Sequence, residues 1–149
     1  MSKTTRATQL LSQAGVAFTV HAYDYDPNAE RVGLQAAEAL GEAPRRVLKT
    51  LMAEVDGKPV CVVVPSDREV SMKKLASAFH GKSANMMKPA DAGGISPFGQ
   101  KKTVPTAIEE AALAEPLVYI NGGQRGLQVR LDPKHALKAL KAVAAPLIA

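Results

Sequence analysis

VLKTLMAEVDGKPVCVVV, residues 47–64, is the stretch whose reading decides the fold. Val47–Val55 and Pro59–Val64 are rich in β-branched and apolar residues, and Asp56-Gly57 between them is a two-residue hairpin signal. Period two places Val47, Lys49, Leu51, Ala53 and Val55 on one face of the first strand and Leu48, Thr50, Met52 and Glu54 on the other. The second strand is apolar throughout VCVVV, which predicts a central strand covered on both faces. Lys49 is then the only charge on the more apolar face of its strand.

Working outward, Thr5–Ala14 has the spacing of an amphipathic helix ended by Gly15, and Ala17–Tyr23 alternates as a strand with Thr19, His21 and Tyr23 on one face. DYDPNAERVG (24–33) is rich in turn residues, and a second helix, Leu34–Leu40, stops at Gly41. Beyond the hairpin, Ser71 is an N-cap for a helix Met72–Phe79 closed by Gly81. Ser83–Met86 predicts a short strand and Lys88–Ala92 a turn of helix. Val104–Ile108 fits a strand, with Pro105 favouring an edge or a strand start, while Ala107–Ala114 also fits a helix; the pattern leaves both open. Leu117–Asn121 and Leu127–Leu131 flank a second glycine hairpin, GGQRG. Asp132 caps a helix that begins at Pro133 and is predicted to run through the Ala/Leu/Lys-rich tail. Hairpins mixed with helices predict a single α+β domain over residues 1–149, with a mixed, largely antiparallel sheet and flanking helices.

Composition narrows the function classes. The chain has 149 residues, enough for one core without a disulfide or metal staple. Its single cysteine, Cys61, excludes an intramolecular disulfide, and no Cys/His grouping has zinc spacing. Met1 leads into polar SKTTRATQ, and no apolar run reaches the length of a membrane span, so the expectation is a cytoplasmic protein without membrane contact. Nineteen basic residues against 14 acidic ones give a formal charge of +5. That favours an anionic partner. The charges are dispersed as Arg45/Arg46, Lys73/Lys74, Lys101/Lys102 and Arg125/Arg130, a distribution that suits specific RNA contact better than a basic tail does. Aromatics are only 4%, which disfavours a surface that stacks single-stranded bases.

The densest turn chemistry is GGISPFGQKK, residues 93–102. Gly93 and Gly94 let a ligand approach the backbone, and exposed N–H groups in such a loop form an oxyanion or phosphate nest. A surface loop carrying a solvated lysine pair has the same composition. Neither glycine loop matches GxxxxGK[ST] or a strand-borne GxGxxG, so nucleotide hydrolysis and dinucleotide binding fit poorly. Lys49 either snorkels to the rim of its strand or stabilises developing negative charge in a pocket. Cys61 lies in an apolar run and reads as core packing. His21, His80 and His135 form no ligand cluster. No Ser/His/Asp set or carboxylate pair is evident, so any chemistry rests on backbone donors, one lysine and the substrate's own groups; no cofactor and no metal are expected.

VLKTL (47–51), GGISPFGQKK (93–102) and VYINGGQRGLQVRL (118–131), supported by FTVHAYDYDP (18–27) and QAAEALG (35–41), together resemble the YbaK-like aminoacyl-tRNA deacylases, in particular the Cys-tRNA(Pro) deacylase branch. The resemblance runs over nearly the whole chain. It implies a domain related to the editing domain of prolyl-tRNA synthetase that hydrolyses the ester between a wrong amino acid and the tRNA 3′ end. The family's key lysine matches Lys49, followed by Thr50, and its HxY tyrosine matches Tyr23. Gly93, Gly94, Ile95 and Ser96, with Gly122 and Gly123, match the glycine loops that line the pocket. For a cysteinyl ester the resemblance implies attack by the substrate's own thiol, oriented by the protein. Partners so implied are tRNA, through its 3′ aminoacyl end, and prolyl-tRNA synthetase. Three departures bear on substrate choice. Val32 stands where relatives often carry an aromatic residue, Asn121 stands where they carry serine, and KPADAGGIS (88–96) lacks a polar insertion. Cys-tRNA(Pro) is the expected substrate, with Ala-tRNA(Pro) or a non-catalytic tRNA- or synthetase-binding role as alternatives.

Overall fold

The hairpin at 47–64 forms on the predicted turn, and both turn residues have positive φ (Asp56 +51°, Gly57 +82°), the geometry that matches strand twist. In the computed structural model of the chain, residues 4–26, 32–87, 96–98 and 104–149 are described, without the side chains of residues 32 and 33. Their order is α1 (Arg6–Gln13), β1 (Thr19–Ala22), α2 (Val32–Leu40), β2 (Leu48–Val55), β3 (Lys58–Pro65), α3 (Met72–Ala78), β4 (Ala84–Met86), β5 (Thr106–Glu109), β6 (Val118–Asn121), β7 (Leu127–Leu131), α4 (Pro133–Leu140) and β8 (Val143–Ala145). Single 3-10 turns occupy Pro44–Arg46 and Glu110–Ala114.

The strands form two sheets, a three-stranded one ordered β1-β7-β6 and a five-stranded one ordered β4-β2-β3-β5-β8. β3 is central and buried from Val60 to Pro65, as its unbroken apolar run requires. It pairs antiparallel with β2 and parallel with β5, so the α+β architecture with a mixed sheet stands. The main core lies between the sheets: Leu48 and Val63 meet Val118, Ile120, Val129 and Leu131, with Leu11 of α1, Ala136 of α4 and Phe98 closing it. A second cluster packs Leu75 of α3 and Leu147 of the tail on Val60, Val62 and Val64. No described helix is long and apolar enough to cross a membrane.

Two sequence readings need correction. The last helix does not run through the tail. It ends at Leu140, where Lys141 adopts a left-handed conformation (φ +52°), and the chain turns back so that β8 pairs parallel with β5. Helix α3 is closed by His80, at φ +57°, and not by Gly81. Of the two positions Pro105 allowed, the strand start holds and the edge does not: it directly precedes β5, its carbonyl accepts from Cys61 N–H at 2.8 Å, and β5 lies between β3 and β8. The two readings left open for 104–114 each hold for half the segment, a strand followed by a 3-10 turn. The helical turn expected at Lys88–Ala92 lies outside the described residues.

The tail is held by a buried acid. Glu109, 2% exposed, accepts from Leu147 N (2.7 Å) and Ile148 N (3.2 Å) through one oxygen and from Ala111 N (2.7 Å) through the other. Ser71 N–H then donates to Leu147 O, and Ala149 N–H to Glu69 O, so the tail braces the segment entering α3.

Candidate functional site

Where the sheets meet, a parallel bridge joins Val47 to Tyr119. Beyond it the strands part, because β2 continues into its pairings with β3 and β4 while β6 pairs with β7. Residues opposed in a parallel pair project to the same side, so Lys49 and Asn121, each two positions past the bridge, share one face. The cross-strand row His21–Gln128–Asn121 extends that face through the small sheet. Helix α2 covers part of it, with Ala36 and Ala37 packed on Val47, Tyr119 and Tyr23. The result is a polar face that begins at Lys49 and ends at His21.

Lys49 is partly buried, with a side chain 19% exposed, and its Nζ lies 3.8 Å from Glu69 Oε1, a carboxylate that is itself 83% exposed. This is a loose, solvated pair worth little to stability. Lys49 therefore snorkels to the rim, as an ammonium on an apolar face must. Thr50 points to the opposite, core-facing side. Its Oγ1 is buried without a hydrogen-bond partner.

Tyr23 sits just past β1 and donates its backbone N–H to Gly126 O at 2.9 Å. Burial raises its phenol above the usual tyrosine pKa, with Gln128 and the Gly126 backbone partly offsetting the effect. His21 packs edge-on against Tyr119 at 5.2 Å and contacts Thr19 Oγ1 at 2.8 Å. Burial first, then the Arg130 charge, lower its pKa, while Glu42 raises it. The Tyr119 hydroxyl donates to Glu42 Oε2 at 3.2 Å.

The second glycine loop is internally committed. Asn121 Oδ1 accepts from Gly123 N at 2.7 Å, its Nδ2 donates to Gln124 O at 3.3 Å, and Gly122 N–H donates to Leu127 O at 2.8 Å. Thr5, the N-cap of α1, donates its hydroxyl to Gly122 O and ties the helix to the loop. With both glycine N–H groups spent, this loop offers a rigid wall and no oxyanion donors at those positions. Of the first loop, Ser96 is buried with its Oγ accepting from Phe98 N at 3.2 Å, and Phe98 is anchored in the main core. Gly93, Gly94 and Ile95 lie outside the described residues. Val32 opens α2.

Lys49, Tyr23 and Asn121 are thus brought to one face, while Thr50 lies on the other side of β2. Gln128 was not singled out by sequence reasoning. It is 4% exposed, with a buried Oε1 that has no partner, and the alternation of LQVRL against VYIN was the signal that places it beside Asn121. Cys61 is fully buried. Among the described residues no group of His, Cys, Asp and Glu could hold a metal ion.

The model of the aminoacyl-tRNA editing domain matches residues 26–139. Over 111 residues the chain is 37% identical to EbsC of Enterococcus faecalis, provisionally named a Cys-tRNA(Pro)/Cys-tRNA(Cys) deacylase, covering 68% of this chain and 67% of that one. A proline–tRNA ligase of Streptomyces coelicolor is 31% identical over 97 residues, 60% of this chain but only 17% of the ligase. In three dimensions the chain superposes on a crystal structure provisionally described as a trans-editing enzyme for prolyl tRNA synthetase, with a TM-score of 0.81, 22% identity, and 97% and 95% of the two chains covered. A hypothetical protein of known structure gives a TM-score of 0.85 at 17% identity, with 97% of this chain and all of that one covered. Those two likenesses speak for the fold alone. With the family model spanning most of its length, this chain belongs to the aminoacyl-tRNA editing domain family.

Proposed function

We propose that the protein is a trans-acting aminoacyl-tRNA deacylase whose preferred substrate is Cys-tRNA(Pro), and that the aminoacyl ester is held where β2 and β6 diverge. The observation that carries this reading is the continuity of one polar face across the Val47–Tyr119 bridge, which sets Lys49 on β2 and Asn121 on β6 on the same face of the two parting strands. Lys49 holds the 3′-terminal nucleotide and the ester carbonyl, where its charge gains strength as water is excluded. Tyr23, Val32 and Asn121 shape the aminoacyl side, with Gly122 and Gly123 as the fixed wall. Gly93, Gly94, Ile95 and Ser96 are the loop assigned to the oxyanion, and Thr50, buried on the other face of β2, takes no part. Gln128 Oε1 is an acceptor suited to the substrate's α-ammonium group.

The chain's own thiol is shut in the core, so it does not serve as nucleophile. In the proposed step the sulfur of the substrate cysteine attacks its carbonyl carbon, the C–O ester bond breaks, and the ribose oxygen leaves with the thiol's proton. Lys49 and the loop donors stabilise the intervening oxyanion. No protein nucleophile is needed. A hydrophobic pocket alone separates cysteine from near-isosteres poorly, so the thiol also supplies selectivity.

A panel of mischarged tRNAs tests the reading. Release of cysteine from Cys-tRNA(Pro) faster than release of alanine from Ala-tRNA(Pro) is expected. Faster loss of alanine would reassign the substrate, and salt-sensitive tRNA binding with every ester intact would convert the protein to a binding module. Dependence on added prolyl-tRNA synthetase in the same assay reports whether the synthetase is a partner.

A further inference from the structure

The exposed side of α3 and the turn into β4 form an open groove of about 630 Å³, lined by Lys73, Ser77, His80, Lys82 and Ser83 over Met72 and Ala76. Lys73 and Ser77 are four residues apart and stand on one side of α3, and His80 follows in the left-handed turn that closes it. Lys82 and Ser83 continue the line into β4. Among the described residues neither Lys73 nor Lys82 forms an ion pair. The neighbouring Lys74 is different, because its ammonium is spent on Ile148 O at 2.8 Å.

The nearby acid is Asp56. Its carboxylate accepts from Lys82 N (3.0 and 3.2 Å) and from Ser83 N (3.0 Å), and these bonds are the main cause of its lowered pKa. The carboxylate fixes the turn that presents Lys82, and it borders the groove beside Gly81, so one acid stands against the two lysines there. What the groove offers outward is two ammonium groups, an imidazole and two hydroxyls, a donor set suited to phosphodiester oxygens.

We infer that this groove binds the phosphate backbone of the tRNA acceptor end, a contact that rests on the deacylase reading and is separate from the ester site. Both features lie on the α3 side of the large sheet. Lys49 stands near one end of β2, and the groove borders the other, where Ala84 pairs with Val55. Six residues of strand separate Lys49 from Val55, about 20 Å. At that distance the groove meets phosphates upstream of the terminal adenosine and leaves the ester to Lys49. The binding is electrostatic and independent of sequence.

The test compares wild type with a protein carrying Lys73→Ala and Lys82→Ala. Both side chains are exposed, and thermal unfolding verifies that the fold is kept. Affinity for full-length tRNA(Pro) is measured against salt, and deacylation is measured on a cysteinylated CCA trinucleotide too short to reach the groove. The double variant is expected to bind tRNA more weakly, with the slope of log K against log salt reduced by about 2, and to cleave the trinucleotide ester at the wild-type rate. Lys73→Arg with Lys82→Arg retains the slope. An unchanged slope in the alanine variant overturns the inference, and so does an equal loss on the trinucleotide. If wild type cleaves neither ester, the deacylase reading fails while the salt slope still decides whether the groove binds RNA.

Discussion

Glu109→Gln is the most quantitative perturbation this fold offers. The buried carboxylate of Glu109 is satisfied by three backbone N–H groups and by no cation among the described residues. An amide at this site can turn its oxygen toward Leu147 and Ile148 and keep those two bonds. Its NH₂ group then faces Ala111 N–H, donor against donor, so one charge-assisted bond is lost at an exposed residue. The opposite flip loses two bonds and saves one. A hydrogen bond to a charged group contributes about 1.5–3 kcal/mol, so the better flip still predicts a loss of about 1.5–3 kcal/mol. For a chain of this size about 2 kcal/mol lowers Tm by roughly 4–8 °C. Urea unfolding gives the global figure. Hydrogen exchange gives the local one, with the amides of Leu147 and Ile148 losing protection before those of β3. A Glu109→Gln protein within about 0.5 kcal/mol of wild type would refute the reasoning, because a three-bond buried acceptor cannot be replaced that cheaply.

Two further perturbations probe the small sheet. Gly126 has φ +79°, and a Cβ built there would lie 2.8 Å from Tyr23 O, so Gly126→Ala is expected to lose about 1–3 kcal/mol from backbone strain alone, with more from the clash; a urea midpoint equal to wild type would show that the turn relaxes freely. His21 has its folded pKa lowered, chiefly by burial, so between that value and 6.5 the unfolded chain binds the extra proton. Its stabilising contribution is complete above pH 6.5 and is lost as pH falls below it, so wild type should lose more stability than His21→Gln between about pH 7.5 and pH 5.5. Parallel pH profiles for the two proteins would contradict this. Asp56 and Glu115, whose pKa values are lowered by hydrogen bonds from the Ser83 and Lys82 backbone and from Arg46, act further down, losing their contribution as pH drops below the ordinary carboxylate range.

Most of the fold is legible in period and punctuation. VCVVV announces a doubly covered strand, Asp56-Gly57 its hairpin, and Thr5, Ser71 and Asp132 cap the helices they precede, each accepting a backbone N–H. Illegible parts depend on distant contacts. Lys141 leaves the helix in a left-handed turn because the tail is bonded to Glu109 and to the Glu69–Ser71 segment, which no window around residue 141 contains. At the end of α3, His80 takes the left-handed position while Gly81 lies where a Cβ would run into Val55 Cγ1, a contact with a distant strand. Of the site, Lys49 stands out as a charge on an apolar face. Its alignment with Asn121 and Gln128 does not, because it rests on one bridge between strands 72 residues apart in sequence. Asn121 reads as a pocket residue until its side chain is seen to close its own loop.

The central claim is that Lys49 acts on the aminoacyl ester, and single-turnover deacylation of Cys-tRNA(Pro) by wild type and Lys49→Ala measures it most directly. Lys49 has only a loose contact with an exposed carboxylate, so its removal should leave the fold intact and the loss should appear in the chemical step. The expected rate falls by about 10²-fold, the effect of removing one donor from a preorganised oxyanion site. An undiminished rate in the folded variant would contradict the account.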